Sequence, residues 1–383
     1  MSRFLRMLIL VTVIMHVPIT AAVAHALHRL GAPSPWLFGV AWSVIGVALF
    51  LGRARAGMPD RRRSDALVRF VDIPYFIHWC AGLFMIPPVL VATIAAPLVD
   101  LARGRAVSLP WDFYTWTYAV GLLIAGYGIL VRRRWFVVRE IEVALAGLDP
   151  SFDGYRIAHL SDLHIGAVTP RPWGERWMRA ANAQSPDLVV VTGDMVTSGT
   201  EFHEDIADVV GQLRGKDGVF VSMGNHDYFG EGEPLISLLG ARGARVLRNE
   251  GVVLTRGSAR VWLAAIDDTW TRRDDLAKAL RDRPVDAGRD LTTILLAHDP
   301  DRFRAAAKRG VALTLSGHTH GGQVAMPFLY RWISLGRLAH PFNLGLYADG
   351  DAKLYVNPGL GTTGPPIRLG VAPAVVMITL RAA

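Results

Sequence analysis

Long uninterrupted stretches of hydrophobic residues occupy the first third of the chain. Four of them, at about residues 7–27, 36–51, 73–99 and 113–131, contain no Lys, Arg, Asp or Glu. At about 1.5 Å per residue, each is long enough, or nearly so, to cross the roughly 30 Å of hydrocarbon in a bilayer. The second run is short, and Pro87-Pro88 in the third predicts a kink. The pattern predicts four transmembrane helices within residues 1–134.

Arginine residues flank these runs unevenly. Clusters precede the first run, separate the second from the third (residues 61–63) and follow the fourth (residues 132–134). Because cytoplasmic loops are enriched in Lys and Arg, this predicts a multi-pass protein of the inner (cytoplasmic) membrane with both termini in the cytoplasm. Arg3 and Arg6, an apolar core and Ala22-Val23-Ala24 also fit a cleavable leader. The three further apolar runs favour a retained first helix.

The hydrophobic pattern changes after Arg134. Short β-branched runs alternate with helix-like stretches, which predicts an α/β domain over residues 135–383. The expected strands are residues 136–144, 155–160, 188–192, 219–223, 293–297 and 311–315, with a hairpin at 251–266. Five of these strands end in clusters of Asp, Asn or His. Since strand ends converge in layered α/β folds, we expect these side chains to form one site.

Charge and cysteine content exclude several classes of function. The net charge of +8 lies almost wholly in the first 149 residues, which hold 15 basic and 8 acidic residues, whereas the remainder holds 26 and 25. The predicted α/β domain therefore lacks a basic surface typical of nucleic-acid binding, and no nucleic-acid partner is expected. Cys80 is the single cysteine, so neither an intrachain disulfide nor a thiolate metal site can form.

The five polar clusters follow one another in a recognisable order. They are Asp162 and His164; Asp194; Asn225, His226 and Asp227; His298; and His318 and His320. Together they resemble the motifs of the calcineurin-like metallophosphoesterases, over about residues 136–383. Residues 317–323 and 361–368 are similar to a membrane-associated bacterial branch, some members of which hydrolyse UDP-2,3-diacylglucosamine while others are assigned only as phosphodiesterases. The resemblance implies a four-layer αββα sandwich following the four-helix membrane region.

The resemblance also implies a role for each motif residue. One metal would be held by Asp162, His164 and His320, and the other by Asn225, His298 and His318, with Asp194 bridging both. His226 would face the substrate, oriented by Asp227, and a hydroxide bridging the two metals would be the nucleophile. Nitrogen and oxygen ligands suit two divalent ions such as Mn, Fe or Zn.

Some residues depart from the family pattern or lie outside it. Thr197 stands where the second motif often has an aspartate, and residues 371–374 lack an acidic residue that the branch often has. Arg368 could bind a substrate phosphate, but a surface or structural role is favoured. Structural or turn roles are also expected for His159, His203 and the pair Asp267-Asp268. Four histidines in or beside the apolar runs are candidates for proton transfer, a role that is not favoured: His16, His25, His28 and His78.

The predicted function is hydrolysis of a phosphoric ester, either a phosphodiester or a pyrophosphate, by a membrane-bound enzyme. A lipid-linked substrate fits a membrane tether, while nucleotide phosphodiesters and phosphoproteins stay open. The alternative is a transporter or sensor carrying a regulatory phosphoesterase-like domain, whose signature would be missing metal ligands. The sequence does not determine the oligomeric state.

Overall fold

The computed structural model describes residues 3–56, 60–286, 288–325 and 340–383. The chain divides into two compact units. The first comprises Met1–Gly57 and Ser64–Val131, and the second Met58–Arg63 and Arg132–Ala383. The domain boundary predicted between residues 134 and 135 stays a prediction.

Helices make up the first unit. They are α1 (Arg3–Arg29), α2 (Pro35–Ala56), α3 (Asp65–Leu67), α4 (Ile73–Ala102) and α5 (Trp111–Leu130), with a π-helical turn, Val68–Asp72, joining α3 to α4. Among the residues that the structure describes, four helical runs are long and apolar enough to cross a membrane, as predicted. Helix α4 continues through Pro87 and Pro88 without a break.

A buried hydrogen-bonded chain connects α1, α2, α4 and α5. His16 Nδ1 lies 2.6 Å from the Thr12 carbonyl, which can only accept, so in a neutral ring the proton is on Nδ1 and Nε2 accepts. His78 Nε2, 3.0 Å away, is then the donor, and its Nδ1 accepts from the Tyr118 hydroxyl at 2.7 Å. Trp42 Nε1 donates to the same hydroxyl at 3.2 Å. Two of the four histidines considered for proton transfer, His16 and His78, therefore have hydrogen-bond partners for both ring nitrogens within the helical unit.

Two six-stranded sheets form the core of the second unit. The first has the order β1 (Val137–Leu145), β14 (Ala374–Ala382), β2 (Arg156–Leu160), β3 (Leu188–Thr192), β4 (Val219–Ser222) and β5 (Arg245–Val246). The second has the order β12 (Gly345–Asp349), β13 (Ala352–Val356), β11 (Leu313–Ser316), β10 (Thr293–Leu296), β7 (Ala259–Ala265) and β6 (Glu250–Arg256). The short pair β8 (Val285–Asp286) and β9 (Arg289–Asp290) stands apart. Strands β6 and β7 form the predicted hairpin.

The two sheets pack face to face, with helices on their outer faces. Ile157, Val190, Leu263 and Leu315 belong to one buried cluster drawn from both sheets. The intervening residues of β2 and β3 point outward, where they contact α6 (Arg171–Asn182), α7 (His203–Val210) and α8 (Gly232–Ala241). Helices α9 (Leu276–Ala279) and α10 (Phe303–Ala307) cover the second sheet. Because the central strands β3, β4, β10 and β11 are covered on both faces, all their residues are buried, and the predicted four-layer αββα order is confirmed.

Candidate metal centre

The predicted site residues follow the carboxyl ends of central strands. Asp162 comes two residues after β2 and Asp194 two residues after β3, and these strands are parallel. In the second sheet, His298 and His318 each follow a strand by two residues, and β10 and β11 are also parallel. Parallel strands end at the same edge of their sheet, so the topology brings these polar loops together.

The backbone at this edge adopts an uncommon conformation. Five of the proposed ligands lie in the left-handed region, with φ of 52° at Asp162, 44° at His164, 52° at Asp194, 70° at His318 and 52° at His320. Non-glycine residues rarely adopt positive φ, and such strain is concentrated at functional sites. Each loop therefore turns sharply as it leaves its strand, and its side chain is held in place by the surrounding structure.

A first group of ligands is formed by Asp162, His164 and His320, which are all buried. His164 Nε2 and His320 Nε2 lie 3.1 Å apart, and Asp162 Oδ1 is 3.4 Å from His320 Nε2. These separations are those of atoms arranged around one centre about 2 Å from each, as for a divalent ion bound by imidazole and carboxylate. The group has the three residues that the family resemblance implied for one metal.

A second group combines Asp194, His298 and His318. His298 Nε2 is 3.1 Å from Asp194 Oδ2 and 3.2 Å from His318 Nδ1. Asn225 is buried and precedes His226, whose backbone N–H donates to Asp194, and the Asn225 Oδ1 has no hydrogen-bond donor among the described residues. A buried carbonyl oxygen without a donor is costly, and a metal ion satisfies it. The residues of this second group thus fit a divalent ion.

Asp194 lies between the two groups. Its Oδ2 atom is 3.1 Å from His298 Nε2 in one group and 3.7 Å from His164 Nε2 in the other. Its Oδ1 atom accepts the backbone N–H of His226 at 2.9 Å. One carboxylate oxygen placed between two sets of imidazoles has the position that a bridging ligand requires.

The protonation states of the histidines suit metal binding. Burial lowers the pKa of His164 to about 3, and burial lowers the pKa of His318 to about 4. Burial likewise holds the pKa of His320 well below its ordinary value. His298 differs: burial alone would lower its pKa, but the adjacent Asp194 carboxylate outweighs burial and raises it to about 10. Without metal, a His298–Asp194 ion pair therefore occupies the second group, and an incoming ion would displace its proton.

The structure corrects the role expected for Asp227. Its carboxylate accepts four backbone N–H groups, from Asp194 (3.0 Å), Met195 (2.8 Å), Val196 (3.2 Å) and Gly224 (2.9 Å). It makes no described contact with the imidazole of His226. Asp227 instead holds the β3–α7 loop, which carries Asp194, against the loop after β4. The expectation failed because a carboxylate next to a histidine in sequence can point to backbone donors on another loop.

His226 is oriented by a backbone carbonyl. Its Nδ1 lies 2.6 Å from the oxygen of Thr197, so Nδ1 carries the proton and Nε2 is left as the reactive nitrogen. Nε2 is 3.4 Å from Thr363 Oγ1. The ring is half-buried, whereas the proposed metal ligands around it are mostly buried. Thr197 also donates from Oγ1 to the His164 carbonyl at 3.3 Å, so the threonine that departs from the family motif links two site histidines.

Arg368 has a structural role. It is fully buried, and its guanidinium donates to the carbonyls of Pro358 and Gly361, each at 2.6 Å. The loop it holds reaches the metal site, because the Gly361 N–H donates to the Asp162 carbonyl at 2.7 Å. Burial lowers the pKa of Arg368 to about 9, which leaves it charged at neutral pH. The favoured structural role is therefore right, although the side chain is not at the surface.

The other residues for which structural or turn roles were expected lie outside the two groups of proposed metal ligands. His159 is buried and contacts Thr192 Oγ1 at 2.9 Å, and His203 begins α7 as a buried side chain. Asp268 accepts backbone N–H groups in a turn, as expected, whereas Asp267 accepts from the Tyr228 hydroxyl at 2.7 Å and from Arg248 at 2.8 Å. These contacts assign structural roles.

Sequence reasoning missed aromatic and imidazole rings at the rim of the site. The Trp270 ring lies 5.5 Å from that of His318 and is 61% exposed, and the His340 ring lies 5.2 Å from the same histidine. Phe229 lies 4.6 Å from His226. Neither Trp270 nor His340 belongs to a motif, and only the folding of distant loops brings them to the site.

Comparison with known proteins identifies the family. Residues 155–322 match the family model "Calcineurin-like phosphoesterase". The chain is 31% identical over 272 residues to an uncharacterized metallophosphoesterase, YkuE, of Bacillus subtilis, with 69% of this chain and 93% of that protein covered. It therefore belongs to the calcineurin-like metallophosphoesterases and is a metal-dependent phosphoesterase.

A second relative shares the membrane character. The chain is 31% identical over 275 residues to a transmembrane protein with metallophosphoesterase domain of Danio rerio, with 68% of this chain covered. It spans only 61% of that protein's length. With four apolar helices of its own, this chain is a membrane-associated member of the family.

Proposed function

We propose that this protein is a two-metal phosphodiesterase or pyrophosphatase of the inner membrane, with its catalytic domain in the cytoplasm. The observation that carries the proposal is the position of Asp194 between two complete groups of nitrogen and oxygen ligands. When bound, two divalent ions such as Mn, Fe or Zn would activate water and neutralise charge on the phosphoryl group. The intact ligand set favours an enzyme over a transporter or sensor with a degenerate domain.

His226 has the geometry of a proton donor to the leaving group. Because the Thr197 carbonyl fixes the proton on Nδ1, Nε2 is free to carry and release a second proton toward the open side of the site. The backbone N–H of His226 donates to Asp194 Oδ1, and this hydrogen bond holds the His226 backbone beside the proposed metal ligands. Asp227 supports the reaction indirectly, by holding the loop that presents Asp194.

The cytoplasmic orientation rests on the arginine clusters and on the division of the chain. Residues 58–63, which connect the second and third membrane-spanning runs, belong to the same compact unit as the catalytic domain. A connection and a domain in one compact unit lie on the same side of the membrane. Since the connection is rich in arginine, that side is the cytoplasm. We take residues 135–383 as the catalytic domain and 1–134 as the membrane region.

Attachment to the membrane favours a lipid-linked substrate, either a pyrophosphate or a glycerophosphodiester. Such a substrate is confined to the plane in which the enzyme lies, which raises its local concentration at the site. Nucleotide phosphodiesters and phosphoproteins are the competing substrate classes, and the assay should include them beside the lipids.

The proposal is tested with the purified full-length protein in detergent. We expect release of p-nitrophenol from bis(p-nitrophenyl) phosphate, two divalent ions per chain by elemental analysis, and loss of both in Asp194→Asn. Asp282→Asn, an exposed aspartate in a loop far along the chain, is the matched control. Wild-type protein that binds metal but hydrolyses no ester would favour the sensor alternative. An Asp194→Asn variant with two ions and a normal rate would refute the bridging role.

A further inference from the structure

The connection between α2 and α3 contacts the catalytic domain through Asp60 and Arg62. The Asp60 backbone N–H donates to Ser198 Oγ at 2.9 Å, and its Oδ2 accepts the Ala167 N–H at 3.1 Å. Ala167 lies shortly after the motif of Asp162 and His164, and Ser198 shortly after Asp194. Asp60 thus bridges the two loops that carry the first metal ligands of the chain.

Arg62 extends the same contact along the second loop. Its backbone N–H donates to Glu201 Oε1 at 2.9 Å, and its guanidinium lies 2.7 Å from Asp205 Oδ2. The guanidinium also stacks on the buried Phe202 ring, 5.1 Å from the centroid. The exposed ion pair contributes little stability by itself, but the backbone and ring contacts fix the register of the segment on the domain.

Asp60 lies beside the residue that orients His226. A Cβ added to Gly166 would collide with the Asp60 carboxylate and lie 3.0 Å from Thr197 Oγ1, so both side chains approach the same glycine and a larger residue there would displace Asp60. Thr197 in turn contacts His226 Nδ1 through its carbonyl, 2.6 Å away. Thr197 stands where the family motif often has a carboxylate, and here a carboxylate from a distant part of the chain lies next to it.

The environment of Asp60 is that of a structural carboxylate within the fold. The side chain is half-buried, and burial raises its pKa, opposed by the backbone N–H of Ala167. A carboxylate moved away from water in this way is retained only where its hydrogen bonds hold something in place. What the carboxylate holds is Ala167, and the loop of Ala167 is bound in turn to the Thr197 segment, by the Ile165 N–H to the Met195 carbonyl at 2.9 Å and by Thr197 Oγ1 to the His164 carbonyl at 3.3 Å.

From these contacts we propose that the Asp60 side chain is a positioning residue for His226, acting through Ala167 and, by way of its loop, through Thr197. The membrane region thereby supplies part of the catalytic geometry and is more than a tether. This inference rests on the proposed function, since it assigns Asp60 to the orientation of the proposed proton donor. Asp60 itself touches neither substrate nor metal.

Kinetics of the full-length protein test the inference. Asp60→Ala should lower kcat on an alkyl phosphodiester roughly tenfold while KM and bound metal stay near wild type, because a misplaced donor slows proton transfer without changing binding. The loss should be much smaller on bis(p-nitrophenyl) phosphate, whose leaving group needs no proton. Asp60→Asn keeps an acceptor for the Ala167 N–H and should restore most of the rate. Asp65→Ala, which changes an exposed aspartate at the first residue of α3, is the control.

A double-mutant cycle separates positioning from general destabilisation. If Asp60 acts only through His226, Asp60→Ala should cost nothing further in a His226→Ala background. Additive losses, or equal losses on both esters, would overturn the assignment.

A second measurement does not depend on turnover. Hydrogen–deuterium exchange of peptides covering residues 164–199, which include the Ala167 N–H that loses its acceptor, should accelerate in Asp60→Ala and not in Asp65→Ala. If the wild type hydrolyses no ester, the proposed function fails, and faster exchange still shows that Asp60 holds this segment. Unchanged exchange would contradict the inference whatever the activity.

Discussion

Replacing Arg368 should weaken both the catalytic domain and its metal site. The guanidinium is fully buried, and Pro358 and Gly361 depend on it, since no other described donor reaches their carbonyl oxygens. In Arg368→Met the side chain keeps much of its volume, but these two buried carbonyls lose their donors. The change therefore removes the hydrogen bonds and the charge of the guanidinium while keeping most of the packing.

The size of the effect follows from the contacts. Each buried carbonyl without a donor costs about 1–3 kcal/mol, or roughly 2–6 kcal/mol for the pair. Removing a buried charge offsets part of this, so we expect about 2–3 kcal/mol. For a domain of this size that lowers Tm by roughly 4–12 °C. Because the same loop donates to the Asp162 carbonyl, metal affinity should also fall, by about 10–100-fold.

Thermal unfolding in detergent, with and without added metal, measures the change in Tm. Titration with metal measures the change in metal affinity. Arg381→Met removes an exposed arginine that pairs with Glu142 and should leave Tm unchanged. Arg368→Lys should fall between wild type and Met, because one ammonium cannot reproduce the fork of the guanidinium. A variant with normal Tm and metal binding but a raised KM would refute the structural role and favour contact with a substrate phosphate.

Four further outcomes are expected. His226→Ala should keep both metals and lose roughly 10²–10⁴-fold in kcat on alkyl diesters, with a smaller loss on nitrophenyl esters; equal losses would favour charge stabilisation instead. A reporter active only in the periplasm, fused after Ala383, should stay silent, and strong activity there would contradict the cytoplasmic orientation. A chelator should lower Tm of the wild type and have little effect on Asp194→Asn, as a thermal scan would show. In His78→Phe the His16 Nε2 atom loses its hydrogen-bond donor, so the free energy of unfolding of the helical unit should fall by roughly 1–2 kcal/mol. An unchanged free energy of unfolding would contradict this expectation.

The sequence predicted those features that depend on local pattern. Apolar runs without charge predicted the membrane helices, and β-branched runs ending in polar clusters predicted β2, β3, β4, β10 and β11 but not β12, β13 or β14. Because parallel strands end at one edge, the convergence of Asp162, Asp194 and His298 could be expected before any coordinates. The motif order added an expected division of the ligands between two metals, which stays a prediction.

What the sequence did not predict depends on contacts between distant segments. Asp227 was expected to orient His226, but the direction of a side chain is set by the donors around it, and those belong to the loop after β3. Asp60 precedes its partner Ala167 by more than a hundred residues, and nothing in its local pattern indicates docking. Trp270 and His340 reach the rim of the site through loops whose course no periodicity specifies.

The position of β14 has a consequence for biogenesis. Among the strands of its sheet this one is the last to be synthesised, yet it lies between β1 and β2, second from the edge of the sheet that carries Asp162 and Asp194. At roughly 5–20 residues per second, the ribosome needs several seconds to make the chain after His320. The membrane helices leave the ribosome long before this sheet can close. The ions that enter the site are therefore those available where the completed chain resides, and supply in that compartment helps decide which metal is bound.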